Sequence, residues 1–88
     1  MKMVIYTKPN CPKCRITKNR LDASGYKVTQ IILNVFKPSQ YEDKLLKSFK
    51  AKGYRSLPVV QVYAEDNQLV DEWNDLNVDK INKYTKGN

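Results

Sequence analysis

Histidine is absent from this chain of 88 residues, and cysteine occurs only twice, at Cys11 and Cys14. Tetrahedral zinc needs about four ligands, so these two sulfurs supply half a site at most unless two chains share the metal. Two cysteines so close together also cannot staple distant parts of the chain, which excludes the multi-bridge framework of a small secreted domain. Stability must come from packing, in a chain short enough to bury only roughly 60 to 65% of the surface its unfolded form exposes. No segment approaches the ~18 consecutive apolar residues of a spanning helix. The opening "MKMVIYTKPN" has a lysine but only a short apolar run before its proline, unlike a secretory leader, and reads as a first strand. The chain is therefore expected to be soluble and cytoplasmic, away from membranes, with its cysteines starting out reduced. Repeats, low-complexity tracts and linkers are missing as well, so residues 1–88 read as one domain.

Acidic residues are also scarce: nine Asp and Glu face sixteen Lys and Arg, a formal charge of +7. That balance suits an acidic partner and invites a nucleic-acid reading. Against the latter, the lysines are scattered over all three expected helices, and the six tyrosines lack the spacing of a stacking platform. A salt-dependent shift of a labelled oligonucleotide would be its sign.

What is present alternates in period. "KMVIYT" reads as a strand, "CPKCRITKNRLDAS" as a helix closed by Gly25, and "YKVTQIIL" as a second strand. In "FKPSQYEDKLLKSFKAKG", Ser39 and Glu42 form a capping box, Tyr41, Leu45, Leu46 and Phe49 share helical spacing, and Gly53 is the stop. "LPVVQVY" and "QLVDEW" read as strands joined by the turn "AEDN", and "DLNVDKINKYTK" as a last helix with Leu76, Ile81 and Tyr84 inward. The order is βαβαββα, an α/β chain.

Both cysteines fall where the first strand hands over to the first helix. Pro12 suits the first helical position, because its φ is already fixed and its missing N–H would have had no partner there. Cys11 then becomes the N-cap, facing unpaired N–H groups and the positive end of the helix dipole. Lys8, Lys13 and Arg15 add cationic field. Thiols in such settings fall from about 8.5 to between about 3.5 and 7.5, which makes Cys11 the expected nucleophile. Cys14 lies one turn further on the same face, within disulfide reach but deeper, and is the expected resolving thiol. Cys11 would attack a substrate disulfide and Cys14 would then displace the reduced product, with no histidine base required. Half of a shared zinc site and a pair of inert buried thiols have the same spacing; a pair that opens a helix directly after a strand points to redox chemistry.

"YTKPNCPKC", "SLPVV" and the βαβαββα order together resemble the glutaredoxin branch of the thioredoxin superfamily, over nearly the whole chain. The resemblance implies a four-stranded mixed sheet flanked by three helices and a catalytic pair Cys11 and Cys14. It also implies a cis Pro58 beside the pair, with the Leu57 backbone free to bind a peptide or tripeptide, and a Lys8 that meets a glutathione carboxylate. Pro12 and Lys13, between the cysteines, join this substrate-binding set. Trp73 reads either as a groove residue or as core, and Arg55 either as a guide for an acidic partner tail or as a solvated loop residue.

Where glutathione-using members carry a Gly-Gly pair, this chain has Asp71 and Glu72, which add bulk and negative charge; Asp75 still matches the acidic position that follows. A subgroup, the NrdH-type redoxins, takes electrons from thioredoxin reductase and passes them to ribonucleotide reductase. "GYRSLPVV" is similar to its run before the third strand, whereas of its usual Trp-Ser-Gly-Phe-Arg-Pro-Asp this chain keeps an aromatic and a later "DKI". The implied activity is that of a monomeric thiol-disulfide oxidoreductase with no tightly bound cofactor. Its electrons would come from NADPH through thioredoxin reductase, or in the alternative from glutathione, and its acceptor would be ribonucleotide reductase or another disulfide-bearing protein. Relatives also include dimers bridged by an iron-sulfur cluster, for which Cys11 would be the ligand.

Overall fold

The computed structural model describes residues 1–85. The run "KMVIYT" becomes the strand β1 (Lys2–Thr7), and it is central because both of its faces find apolar partners. Met3 and Ile5 point to one side, Val4 and Tyr6 to the other, following the two-residue alternation of a strand. The remaining elements are α1 (Pro12–Asp22), β2 (Lys27–Ile32), α2 (Gln40–Ala51), β3 (Val59–Tyr63), β4 (Leu69–Asn74) and α3 (Val78–Thr85).

The sheet order is β2-β1-β3-β4. β1 and β2 run parallel, from Lys2 opposite Lys27 to Thr7 opposite Ile32, a pairing that needs a crossover, and α1 supplies it. β3 lies antiparallel to β1, with Ile5 opposite Val60, and antiparallel to β4, with Val60 opposite Trp73. Leu21 of α1 and Tyr84 of α3 close one face over Met3, Ile5, Val60, Val62 and Trp73. Phe49 of α2 closes the other, where its ring meets Tyr6 edge-on at 5.3 Å. This is the mixed sheet with three helices expected from the sequence, in a thioredoxin-like fold.

The boundaries show where local rules were overruled. The capping box forms: Ser39 Oγ accepts the Glu42 N–H at 3.1 Å, and Glu42 Oε1 accepts the Ser39 N–H at 3.0 Å. Tyr41, expected on the apolar face of α2, is 65% exposed; Leu45 and Leu46 are half-buried and only Phe49 is sealed. The last helix starts at Val78 rather than Asp75. Asp75 has φ +64, a left-handed conformation that Asp tolerates but a helix cannot include, and the cap passes to Asn77, whose Oδ1 accepts the Lys80 N–H at 3.1 Å. Leu76 accordingly sits half-buried in the preceding turn. Lys86, at the end of the expected helix, lies outside the described residues.

Candidate active site

β1 ends at the buried Thr7 and delivers the chain to the exposed loop Lys8-Pro9-Asn10. Asn10, at φ +56, makes the left-handed turn that sets Cys11 as the N-cap of α1, with Pro12 at its first position. Cys11 Sγ accepts the N–H of Cys14 at 3.3 Å, the capping bond a Ser or Asp side chain would otherwise make. No acidic residue occupies the first turn of α1. Cys11 and Cys14 are joined as a disulfide, with Cα atoms 5.2 Å apart. Their surroundings differ. Cys11 is half-buried at the surface, whereas Cys14 is 4% exposed among Tyr6, Leu33, Phe49, Leu57 and Val59.

The Leu57–Pro58 bond is cis, as the resemblance implies, and the Leu57 carbonyl oxygen stands 3.9 Å from Cys11 Sγ. Pro58 is fully buried, and its carbonyl accepts the Asp75 N–H at 2.8 Å, which ties the turn before α3 to the centre. Lys13 reaches across to the same turn, its Nζ 2.9 Å from Asp75 Oδ1. That hydrogen bond, with a second from the Leu76 N–H, holds the Asp75 carboxyl below the usual range. The three segments expected around the pair do converge, and two of the expected substrate contacts, Lys13 and Asp75, are paired with one another at the surface.

Two clefts flank the centre. One, of about 220 Å³, runs over Leu57 and Val59 between Lys8 and Arg55, with Leu46 and Phe49 in its wall. The other, of about 390 Å³, opens on the far side of α1 and includes both cysteines. Lys8 borders both. Trp73 is elsewhere: at 3% exposure it stacks on Tyr84, ring centres 5.7 Å apart, beneath α3. Of its two readings the core one describes it, since β4 turns it to the opposite face of the sheet from Cys14.

Asp71 and Glu72 also differ from expectation. Strand alternation sends them to opposite faces, where each is neutralised. The Asp71 carboxylate, 9% exposed, accepts from Lys80 Nζ at 2.8 Å and from the Tyr84 hydroxyl at 2.7 Å. Burial alone would raise its pKa, but those bonds and the Glu72 N–H outweigh it and hold the carboxyl at about 2. Glu72 is engaged by Lys52 Nζ at 2.9 Å and Gln61 Nε2 at 2.7 Å. Neither places free negative charge beside the disulfide. Nothing in the sequence announced the pairings Lys13–Asp75 or Asp71–Tyr84, which the fold alone brings together.

Among the described residues, no three His, Cys, Asp or Glu side chains converge as metal ligands. A cluster shared between two copies through Cys11 does not fit this state, in which Cys11 is bonded to Cys14. Of the six tyrosines, Tyr6 and Tyr84 are buried, Tyr26, Tyr54 and Tyr63 are half-buried, and Tyr41 is exposed. No helix among the described residues is long and apolar enough to cross a membrane.

Residues 3–67 match the family model for glutaredoxin. Over 60 residues the chain is 35% identical to the glutaredoxin-like protein NrdH of Salmonella typhimurium, a stretch covering 68% of this chain and 67% of that protein. Among solved structures it is similar to the NrdH-redoxin of Escherichia coli, a glutaredoxin-like protein with a thioredoxin-like activity profile, with a TM-score of 0.66 and 28% identity over 94% of this chain and 93% of the other. A glutaredoxin of Archaeoglobus fulgidus shares the fold, with a TM-score of 0.68 and 22% identity over 97% and 86% of the two chains. The stretch matched to the family model contains Cys11, Cys14 and cis Pro58. This chain therefore belongs to the glutaredoxin family, as an NrdH-like redoxin whose cysteine pair marks it as a dithiol-disulfide oxidoreductase.

Proposed function

We propose that this redoxin reduces the disulfide of a partner protein, with ribonucleotide reductase as the acceptor and NADPH with thioredoxin reductase as the source of electrons. The observation that carries the assignment of roles is the difference in depth between a half-exposed N-cap sulfur, Cys11, and a sealed one, Cys14. In the reduced protein Cys11, as thiolate, attacks one partner sulfur. A Cys11–partner bond forms as the partner disulfide breaks, and the second partner sulfur leaves and takes a proton from solvent. Cys14 then gives up its proton and attacks Cys11 Sγ, and the remaining partner sulfur departs with that proton. The partner has gained two electrons and two protons, and the redoxin is left with its Cys11–Cys14 disulfide. Leu57, beside Cys11 and ahead of the cis bond, offers its backbone to the approaching peptide; Lys8 and Arg55 border that approach.

The similarity to two NrdH proteins, one of them with a thioredoxin-like activity profile, supports thioredoxin reductase as donor. A second reading, turnover with glutathione, is favoured by Lys8, Lys50 and Arg55, three cations without ion-pair partners among the described residues that border one cleft. Asp75 weighs against it, since Lys13 already occupies its carboxylate. The test compares reduction of the Cys11–Cys14 disulfide by NADPH with thioredoxin reductase and by NADPH with glutathione and glutathione reductase. Fast reduction by the first alone is expected; fast reduction by the second alone would replace this reading with the glutathione one.

A further inference from the structure

Apart from Lys8 and the two cysteines, the residues of the larger cleft have no part in the chemistry described so far. It lies between the first turns of α1 and the C-terminal end of β2, on the flank of the disulfide away from Leu57, and its volume of about 390 Å³ is within the range of sites that hold ligands. Lys8, Asn10, Arg15, Asn19, Gln30 and Ile32 surround the two cysteines there, without a single carboxylate. Lys18 also borders it, but its charge is met by Asp22 at 2.6 Å. Arg15 and Lys8 have no ion-pair partner among the described residues. The floor is set, because Gln30 Nε2 donates to the buried Thr7 Oγ1 at 3.1 Å, and Ile32, 61% exposed, provides an apolar rim.

A ligand in this cleft is beside the reacting sulfur. An extended peptide advances about 3.3 to 3.6 Å per residue, so while one side of a target cysteine bound at Cys11 passes Leu57, the residues one to three positions to its other side are within reach of this cleft. A guanidinium presents a planar fork that pairs with a carboxylate through two hydrogen bonds, and Arg15 stands in a wall that holds no competing acid. We infer that the cleft between α1 and β2 is a specificity subsite for acidic side chains adjoining the target cysteine of a protein disulfide, with Arg15 as its principal cation. The inference rests on the reading that the acceptor is a protein disulfide, and it adds what that protein must carry.

The test uses two synthetic peptides, each closed by an internal disulfide, one with Glu and the other with Gln at the three positions flanking the attacked cysteine. The second-order rate constant for reduction of each is measured with pre-reduced protein at about 0.15 M ionic strength, where a screening length of about 8 Å suppresses the general attraction of the net charge. Because Arg15 also lies in the field of Cys11, the readout is the Glu-to-Gln ratio within each variant, in which any change of thiolate reactivity cancels. A ratio of about five is expected for the native chain, falling to within about twofold of unity in Arg15→Gln and largely restored in Arg15→Lys, as suits one partly exposed ion pair. Lys44→Gln, which removes the same charge from α2 outside the cleft, should leave the ratio unchanged. A ratio near one in the native chain, or equal losses in Arg15→Gln and Lys44→Gln, overturns the subsite. Failure to reduce either peptide, with mixed glutathione disulfide still turned over, overturns the protein-acceptor reading and the subsite with it.

Discussion

At the scale of single residues, the two sulfurs are chemically alike and differ in where they stand. Cys11→Ser removes the only sulfur a partner can meet, so all disulfide reduction should be lost, whereas Cys14→Ser should accumulate a mixed disulfide at Cys11 that mass spectrometry can count. Equal residual turnover in both would overturn the assignment of roles. Asp71 supports a different prediction, about stability. Its folded pKa, about 2, lies below the ordinary 3.8, so its contribution is fully present above about pH 4 and is lost as the pH falls toward 2. The urea-unfolding free energy of Asp71→Asn should fall short of the native value by on the order of 2 kcal/mol at neutral pH, with the gap closing in acid. Tyr84 acts at the other end: burial first, then its bond to Asp71, raise its pKa, so its contribution is intact below the ordinary value of 10 and is lost as the pH rises past it. The roles of Pro12 and Cys11 in starting α1 were legible in the sequence because capping is decided within one turn. The destination of Trp73 and the partner of Lys13 were not, because both depend on segments that meet only after the sheet has formed.

At the scale of elements, α2 depends on its first turn. Besides the reciprocal capping bonds, Glu42 Oε2 accepts the Asn34 N–H at 2.7 Å and so fastens the loop that leads from β2. Ser39→Ala should cost about 1 kcal/mol, the usual worth of an N-cap, and Glu42→Ala should cost more, because it frees that loop as well. The comparison is one of urea midpoints, and an equal or smaller loss in Glu42→Ala would show that the Asn34 bond adds nothing. Tyr41→Gln, by contrast, should change the midpoint little, since its ring is in the open. The helical spacing of Tyr41 with Leu45 and Phe49 was a true signal of periodicity and a poor one of burial, because spacing sets the side of the helix a residue takes and not how much of that side is covered. The late start of α3 has a similar cause. Asp75 belongs to the centre through its bond to Pro58, and this costs the helix its expected first turn.

At the scale of the whole molecule, the excess of seven positive charges biases which proteins approach and how fast. Raising the ionic strength from about 0.05 to 0.5 M shortens the screening length from roughly 14 to 4 Å. kcat/KM toward an acidic protein disulfide should therefore fall with added salt, while reduction of a small neutral disulfide stays level; parallel salt profiles would show that the charge plays no part in selecting partners. The layered βαβαββα plan was readable because strand and helix periods alternate cleanly and the turns carry Gly25 and Gly53, both at φ +88. The plan placed the cysteine pair and Pro58 correctly, whereas the two clefts beside them emerge only from the packed molecule.

The near-complete enclosure of Cys14 has a further consequence, for order in time. A sulfur walled in by Tyr6, Leu33, Phe49, Leu57 and Val59 is out of reach of any free thiol in the surrounding solution. Once a partner is held on Cys11, Cys14 is already one helical turn away, and its attack competes with that of any thiol in solution on the same half-exposed sulfur. Enclosure thus sets the order of events: the outer sulfur takes the partner first, and the inner one answers afterwards.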